Sequence, residues 1–444
     1  MNRQLARYRG TLLSLCLLLA PVAGFAQGDA AMASQKVTPQ ILSNAVPSSG
    51  SAAVKGLGPS GRGGTIAAAA TNGVAGIDSL QNWTGQFFAE GFDPAGNPQS
   101  VWPYAMVGNQ PETNSTATIN APIVPVTIEL LNPSGHVAHD PTTGALLRLT
   151  VTDEIRDAVV HSPMFEAVQF NSGTGQFGDE MQRAAFWNRI DHSADSDTAG
   201  WHTLLSPSVK RERTMAIPFG YGYYALDANG RCCAFMLIDE NTFINLLYPP
   251  TYPVDNSTPI GAAELAGDIT THDLSMLLFN NVYLYAGTLN QCCVLGFHAY
   301  DIEPGVPQNG NLPRLYVGGY ASWISPGLFG GGFEDITALA HELAETINDP
   351  FIINATPWWL SRDPRTGAAN CSDVLEVGDV VEVLSNNTVY PIAHNNRTYH
   401  PQNVALFPWF AFDHHSPAPL RAYSFPDETT LRSLSPEGLK PGCQ

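Results

Sequence analysis

The segment Ile336-Thr-Ala-Leu-Ala-His341-Glu342-Leu-Ala-Glu345-Thr346 carries two patterns at once. Ile336, Leu339, Leu343 and Ile347 recur at steps of three and four residues, the period of one helix face, and Ala338, Ala340 and Ala344 are small neighbours of that stripe. The spacing predicts a largely buried helix over 335–348. Glu334 and Asp335 sit where the helix dipole favours negative charge, and Asp349-Pro350 stops the helix. His341 and Glu345 are four residues apart, one above the other on a single face, with Glu342 beside them. A His–Glu pair on a solvated face is the plain alternative. Burial weighs against it, because an imidazole and two carboxylates taken out of water need compensating partners.

The pattern is that of the HExxH zinc helix with Glu in place of the second His. Zinc accepts carboxylate oxygen as well as imidazole nitrogen. On this reading His341 and Glu345 are ligands and Glu342 is the base that takes a proton from water. A third ligand is sought after the helix, among Asp349, Asp363, Asp373, Glu376, Asp379, Glu382, His394, His400, Asp413, His414 and His415. Glu376-Val-Gly-Asp379 stands out: Glu376 as a metal ligand, Asp379 orienting the His341 ring from behind. A polar turn is the ordinary reading of that stretch. No methionine follows Met276, which excludes a Met-turn. The oxygen-rich set also leaves calcium open as an alternative to zinc.

Working outward, strand-like runs cover 121–131, 201–205, 214–218, 233–238, 275–285, 294–300 and 314–323, and helical spacing covers 152–160 and 178–187. Strands outnumber helices, so the fold class is α+β. It is expected to be zincin-like: a mixed β-sheet with β-rich additions, the active-site helix, and Arg314–Trp323 as the exposed edge strand, where an extended peptide could add by main-chain pairing. The Gly-rich stretch 324–332 then gives substrate room to approach, or is simply a flexible connection. Trp358, Trp359, Trp409 and Phe410 are expected to be core, with a carbohydrate platform as the alternative.

The 444 residues hold 21 Lys+Arg against 40 Asp+Glu, a formal net charge of −19. With no basic block, nucleic acid is a poor partner. Arg3, Arg7 and Arg9, the apolar run 11–20, and small residues at Gly24 and Ala26 predict a signal peptide over 1–26 and a secreted or periplasmic protein, with no membrane association after its removal. Residues 27–75 are rich in Ala, Gly, Ser and Pro without an aromatic residue, and read as a linker or pro-segment. Residues 76–444 form the catalytic unit, with a possible subdomain boundary near 350. Cys232, Cys233, Cys292, Cys293, Cys371 and Cys443 remain after export, an even number that suggests disulfides. The two Cys-Cys pairs could staple neighbouring strands.

HELAETINDPF over 341–351, followed by LEVGD over 375–379, resembles a group of secreted bacterial and fungal HExxE proteins regarded as zinc metallopeptidases or peptidase-like, related to the plant EXORDIUM (phosphate-induced) family. HSPMFEAVQF at 161–170, FGDEMQRAAFW at 177–187 and YHPQNVALFPWF at 399–410 extend the similarity from about Pro122 to the end of the chain. The resemblance implies roles for His341, Glu342 and Glu345 directly, and for Glu376 and Asp379 through the ExxD element. Relatives often place a Cys just after that Asp, whereas here Cys371 precedes it. The resemblance implies either a zinc-dependent peptidase acting on protein or peptide substrates, or, after the plant members, a non-catalytic extracellular or cell-wall module.

Overall fold

The computed structural model describes residues 80–435, apart from 94, 142, 192–199, 227–232, 250–255, 290–291, 306, 308–309, 312, 330–331 and 385–387, together with Cys443. The signal-peptide and linker readings, and Cys232, lie outside these residues. The fold is mixed α+β, built on a curled half-barrel sheet of seven strands.

The long strand Thr116–Leu130 is the spine of that sheet. It pairs in parallel with His202–Val209, Arg213–Ile217 and Leu274–Asn280, and antiparallel with Arg148–Leu149. Leu274–Asn280 pairs in parallel with Arg314–Trp323, which pairs antiparallel with Gly296–Glu303 at the end of the sheet. Arg314–Trp323 is therefore an interior strand, contrary to the sequence expectation; the edge belongs to Gly296–Glu303. Both runs carry aromatic and aliphatic residues. Which of them takes the outer place is set by long-range pairing, to which local pattern is blind.

Alternation along each strand divides the core. Ala117, Ile119, Ala121 and Ile123 face one hydrophobic cluster, whereas Val124, Val126, Ile128 and Leu130 face another. The first cluster also receives Leu339, Leu343 and Ile347 from the helix Thr337–Asn348, so that helix packs on the first face. The same cluster holds residues from both sides of position 350.

A second sheet contains Gly222–Leu226, Ala234–Asp239, Val282–Tyr285 and Cys292–Val294. The run 275–285, expected as one strand, is two strands in different sheets. Asn281 breaks it with φ 53°, a left-handed conformation Asn tolerates better than most residues. Its side chain holds the break by donating to Ala234 O at 3.0 Å and accepting from Ser325 N at 2.8 Å. Thr152 caps the helix Asp153–Val160 by accepting from Ile155 N. Two further helices, Glu240–Leu247 and Pro259–Ala266, cover the second face.

Cys371 and Cys443 form a disulfide with Cα atoms 6.2 Å apart. Cys292 and Cys293 bond to each other, so this pair does not staple neighbouring strands as expected. Trp359, Trp409 and Phe410 pack edge-to-face inside the core, and Trp358 is buried. No helix among the described residues is long and apolar enough to cross a membrane.

Candidate metal centre

All twelve residues of Thr337–Asn348 are buried. The helix begins two residues later than the periodicity suggested because Asp335 has φ 47° and turns the chain. The Asp335 carboxylate accepts from Ile336 N at 2.5 Å and His400 N at 2.8 Å, and pairs with His400 Nδ1 at 2.7 Å. At the other end the Asp349 carboxylate accepts from Ile353 N at 2.9 Å and Asn354 N at 3.1 Å, closing the turn into the following chain.

Glu345 is the centre of the site. One oxygen, Oε1, accepts from Gly378 N at 3.1 Å and Asp379 N at 3.3 Å and lies 3.0 Å from His341 Nε2. Asp379 Oδ1 approaches that same nitrogen of His341 at 3.5 Å. The other oxygen, Oε2, has no hydrogen-bond partner and faces His298 Nδ1 at 3.3 Å. His298 Nε2 is 3.8 Å from Glu376 Oε2, and its Nδ1 is 3.9 Å from Glu342 Oε2. His298, His341, Glu342, Glu345 and Glu376 are all buried, none more than 2 % exposed.

Two overlapping sets of donor atoms result, both sharing Glu345 and each with its atoms within 4.8 Å of one another: His341–Glu342–Glu345 and His298–Glu345–Glu376. The helix thus brings its three expected residues together. Glu376 joins them through His298, a residue the sequence reading passed over because it looked for the remaining ligand only after the helix. Its signal was a single His within the apolar strand run CCVLGFHAY. Alternation places His298 and Tyr300 toward the helix, and Phe297 and Ala299 toward the opposite cluster. His414 and His415 are exposed, and His394 pairs with Glu166.

Two glycines make the close approach possible. A Cβ on Gly378 would lie 2.5 Å from ring atoms of His341, and one on Gly296 would lie 2.7 Å from Glu342 Cγ and Oε1. Each acid or ring therefore packs directly on main chain.

The electrostatics show what the cluster lacks. Burial pushes Glu342 and Glu376 well above the usual carboxylate range, and the neighbouring acids add to it. Burial alone would lower His298, yet Glu376 and Glu345 outweigh it and carry it to about 9. Burial likewise opposes the charge of Glu345, but His341 and His298 hold it well below the ordinary range. Both oxygens of Glu342 and Glu376 and both ring nitrogens of His298 have no hydrogen-bond partner. Orphaned buried acceptors cost about 1–3 kcal/mol each, and more when charged. A divalent cation would satisfy several of them together, so the donor set fits one; mixed imidazole and carboxylate donors suit zinc among several transition ions.

Comparison with known proteins assigns no family: no family model, no curated protein and no solved structure matches the chain.

Proposed function

We propose that the chain is an exported zinc-dependent peptidase of zincin-like build, kin to the secreted HExxE proteins, with Glu345, Glu376 and His298 holding the metal. The observation that carries this is the convergence of orphaned, fully buried oxygens and imidazole nitrogens on Glu345 Oε2. Bound zinc supplies the positive charge that acidifies water and polarises a carbonyl. Glu342, raised above the ordinary range and without a hydrogen-bond partner, is suited to accept a proton from water and return it to the leaving amine. The His341 ring and the Gly378 and Asp379 amides hold Glu345 in place through Oε1, and Asp379 Oδ1 faces the same ring nitrogen of His341.

The second group, His341–Glu342–Glu345, supports a variant in which His341 is itself a ligand. The depth of the centre favours a different class of function, a non-catalytic extracellular module in which the cation, zinc or calcium, is a structural staple. Zinc stoichiometry and turnover of casein or a peptide library, in the wild type and in Glu342→Gln, separate these. The peptidase reading expects one zinc per chain in both proteins and a rate loss of 10²-fold or more in the variant. Equal cleavage by both overturns the role of Glu342. Metal without cleavage in either establishes the staple.

A further inference from the structure

The Cys292–Cys293 bond joins chain neighbours, so it closes a small ring around their own peptide link and encloses no loop of chain. A cross-link stabilises a fold chiefly by removing loop entropy from the unfolded chain, and that gain grows with the number of residues enclosed. Cys371–Cys443, with a separation of 72 residues, has this gain; Cys292–Cys293 does not. What the bond between neighbours fixes is local: the course of the backbone at one point of one strand.

That point leads into the metal centre. Cys292–Val294 is the outermost strand of the second sheet, paired with Leu284 and Tyr285 across a register shift. The chain then passes to the edge strand of the seven-stranded sheet, and Leu295 O accepts from Ser322 N at 3.1 Å on the way. Next comes Gly296, where a Cβ would meet Glu342 Cγ and Oε1 at 2.7 Å and Tyr320 O at 2.9 Å, so the main chain there has no slack. His298, which faces Glu345 Oε2, follows on the same strand. Cys293 also shares a hydrophobic cluster with Leu295 and with Ala338, a residue of the helix that carries His341. A backbone shift at the cysteine pair is thus transmitted along the strand to His298 and through the cluster to the helix. Cys293 is buried and Cys292 half-buried, which makes Cys292 the side from which a small thiolate approaches.

We propose that the Cys292–Cys293 bond is a redox-sensitive brace for the metal centre: closed, it fixes the head of the strand that carries His298, and when a dithiol opens it, strand and metal both loosen. The metal part rests on His298 being a ligand; the strand part does not. In the opening step a thiolate of the dithiol attacks one sulfur to give a mixed disulfide, and the second thiol of the dithiol closes on the first. Two electrons and two protons pass from the dithiol to the pair, which leaves two protein thiols and a cyclic disulfide in solution.

The test uses the full mature chain, treated with dithiothreitol, freed of it without oxygen, and compared with Cys292→Ser/Cys293→Ser, which is open under all conditions. Alkylation followed by peptide mass spectrometry scores the two thiols. Opening should strip hydrogen-exchange protection from the amides of 295–298 and weaken zinc about 10–100-fold, the loss expected when a group that orients a ligand is removed. The double variant should show both changes without dithiol, and reoxidised wild type should regain both properties. Cys371→Ser/Cys443→Ser keeps the brace and should respond to dithiol as wild type does. Four results would overturn the brace: a bond that stays closed at dithiol concentrations that open Cys371–Cys443, unchanged exchange in the open form, unchanged zinc affinity in the open form, or a response abolished in Cys371→Ser/Cys443→Ser. Lost protection in a chain that binds no zinc in either form would instead count against the metal reading and uphold the brace on the strand.

Discussion

His298 Nδ1 stands 3.3 Å from Glu345 Oε2, one on the edge strand of the sheet and the other on the helix packed beneath it. That contact makes a single centre out of what would otherwise be a helix motif and a separate turn, because Glu376 enters through the far side of the same ring.

His298→Ala should therefore weaken zinc binding more than His341→Ala if His298 is the ligand and His341 positions Glu345. Loss of a ligand removes tight binding, whereas loss of a group that orients a ligand costs about 10–100-fold in affinity. Competition against a chromogenic chelator ranks the two variants. The reverse order would make His341 the ligand.

Gly378→Ala should destabilise the fold and disturb the centre together. Its Cβ would meet the His341 ring at 2.5 Å, and the ring is held by Glu345 and by surrounding core. Overpacking of this kind costs about 1–3 kcal/mol. Gly296→Ala presses on Glu342 and also meets Tyr320 O at 2.9 Å, so a loss of similar size is expected. Urea unfolding of the three proteins measures both.

Glu166 ties two distant segments. Its carboxylate lies 2.5 Å from His161 Nδ1 and 2.7 Å from His394 Nε2, and accepts from Asn395 Nδ2 at 2.6 Å. The His161 bond above all, with His394 and Asn395, pulls it from a free glutamate's 4.5 to about 2. A depressed acid stabilises the fold above its unfolded value, and this contribution is lost as pH falls from 4.5 through about 2. Glu166 in turn raises His161, whose contribution is complete below about 6.5 and fades as pH climbs past its raised value. Wild type should thus exceed Glu166→Gln in stability most clearly between about pH 4.5 and 6.5, with the gap closing as pH falls toward 2. Melting temperatures across that range give the profile; a gap that stays constant down to pH 2 contradicts it.

Cys443→Ser should lower stability by about 4 kcal/mol, the loop-closure entropy expected for a separation of 72 residues. Guanidinium unfolding of the mature protein, with and without reductant, measures it, and the variant should be insensitive to reductant at this position.

Much of the local structure could be read from pattern. Arg314–Trp323 and the helices near 153–160 and 177–185 fall where periodicity puts them, and the helix motif delivers His341, Glu342 and Glu345 to one buried region. The misreadings share a cause. Asn281 splits an apolar run through a left-handed turn held by Ser325 and Ala234, residues remote in the chain. Arg314–Trp323 lost the edge because Gly296–Glu303 pairs outside it.

The amino-acid order alone determined which residues share a face: the i,i+4 step of His341 and Glu345, and the alternation that sends His298 one way and Asp301 the other. Those follow from helix and strand geometry, which act over a few residues. Only the tertiary structure decided which faces meet. It brought the edge strand over the helix, seated His341 on Gly378, filled one oxygen of Glu345 with amides and turned the other to the His298 ring. Such pairings depend on burial and hydrogen bonds between segments far apart in the chain, and no local period encodes them.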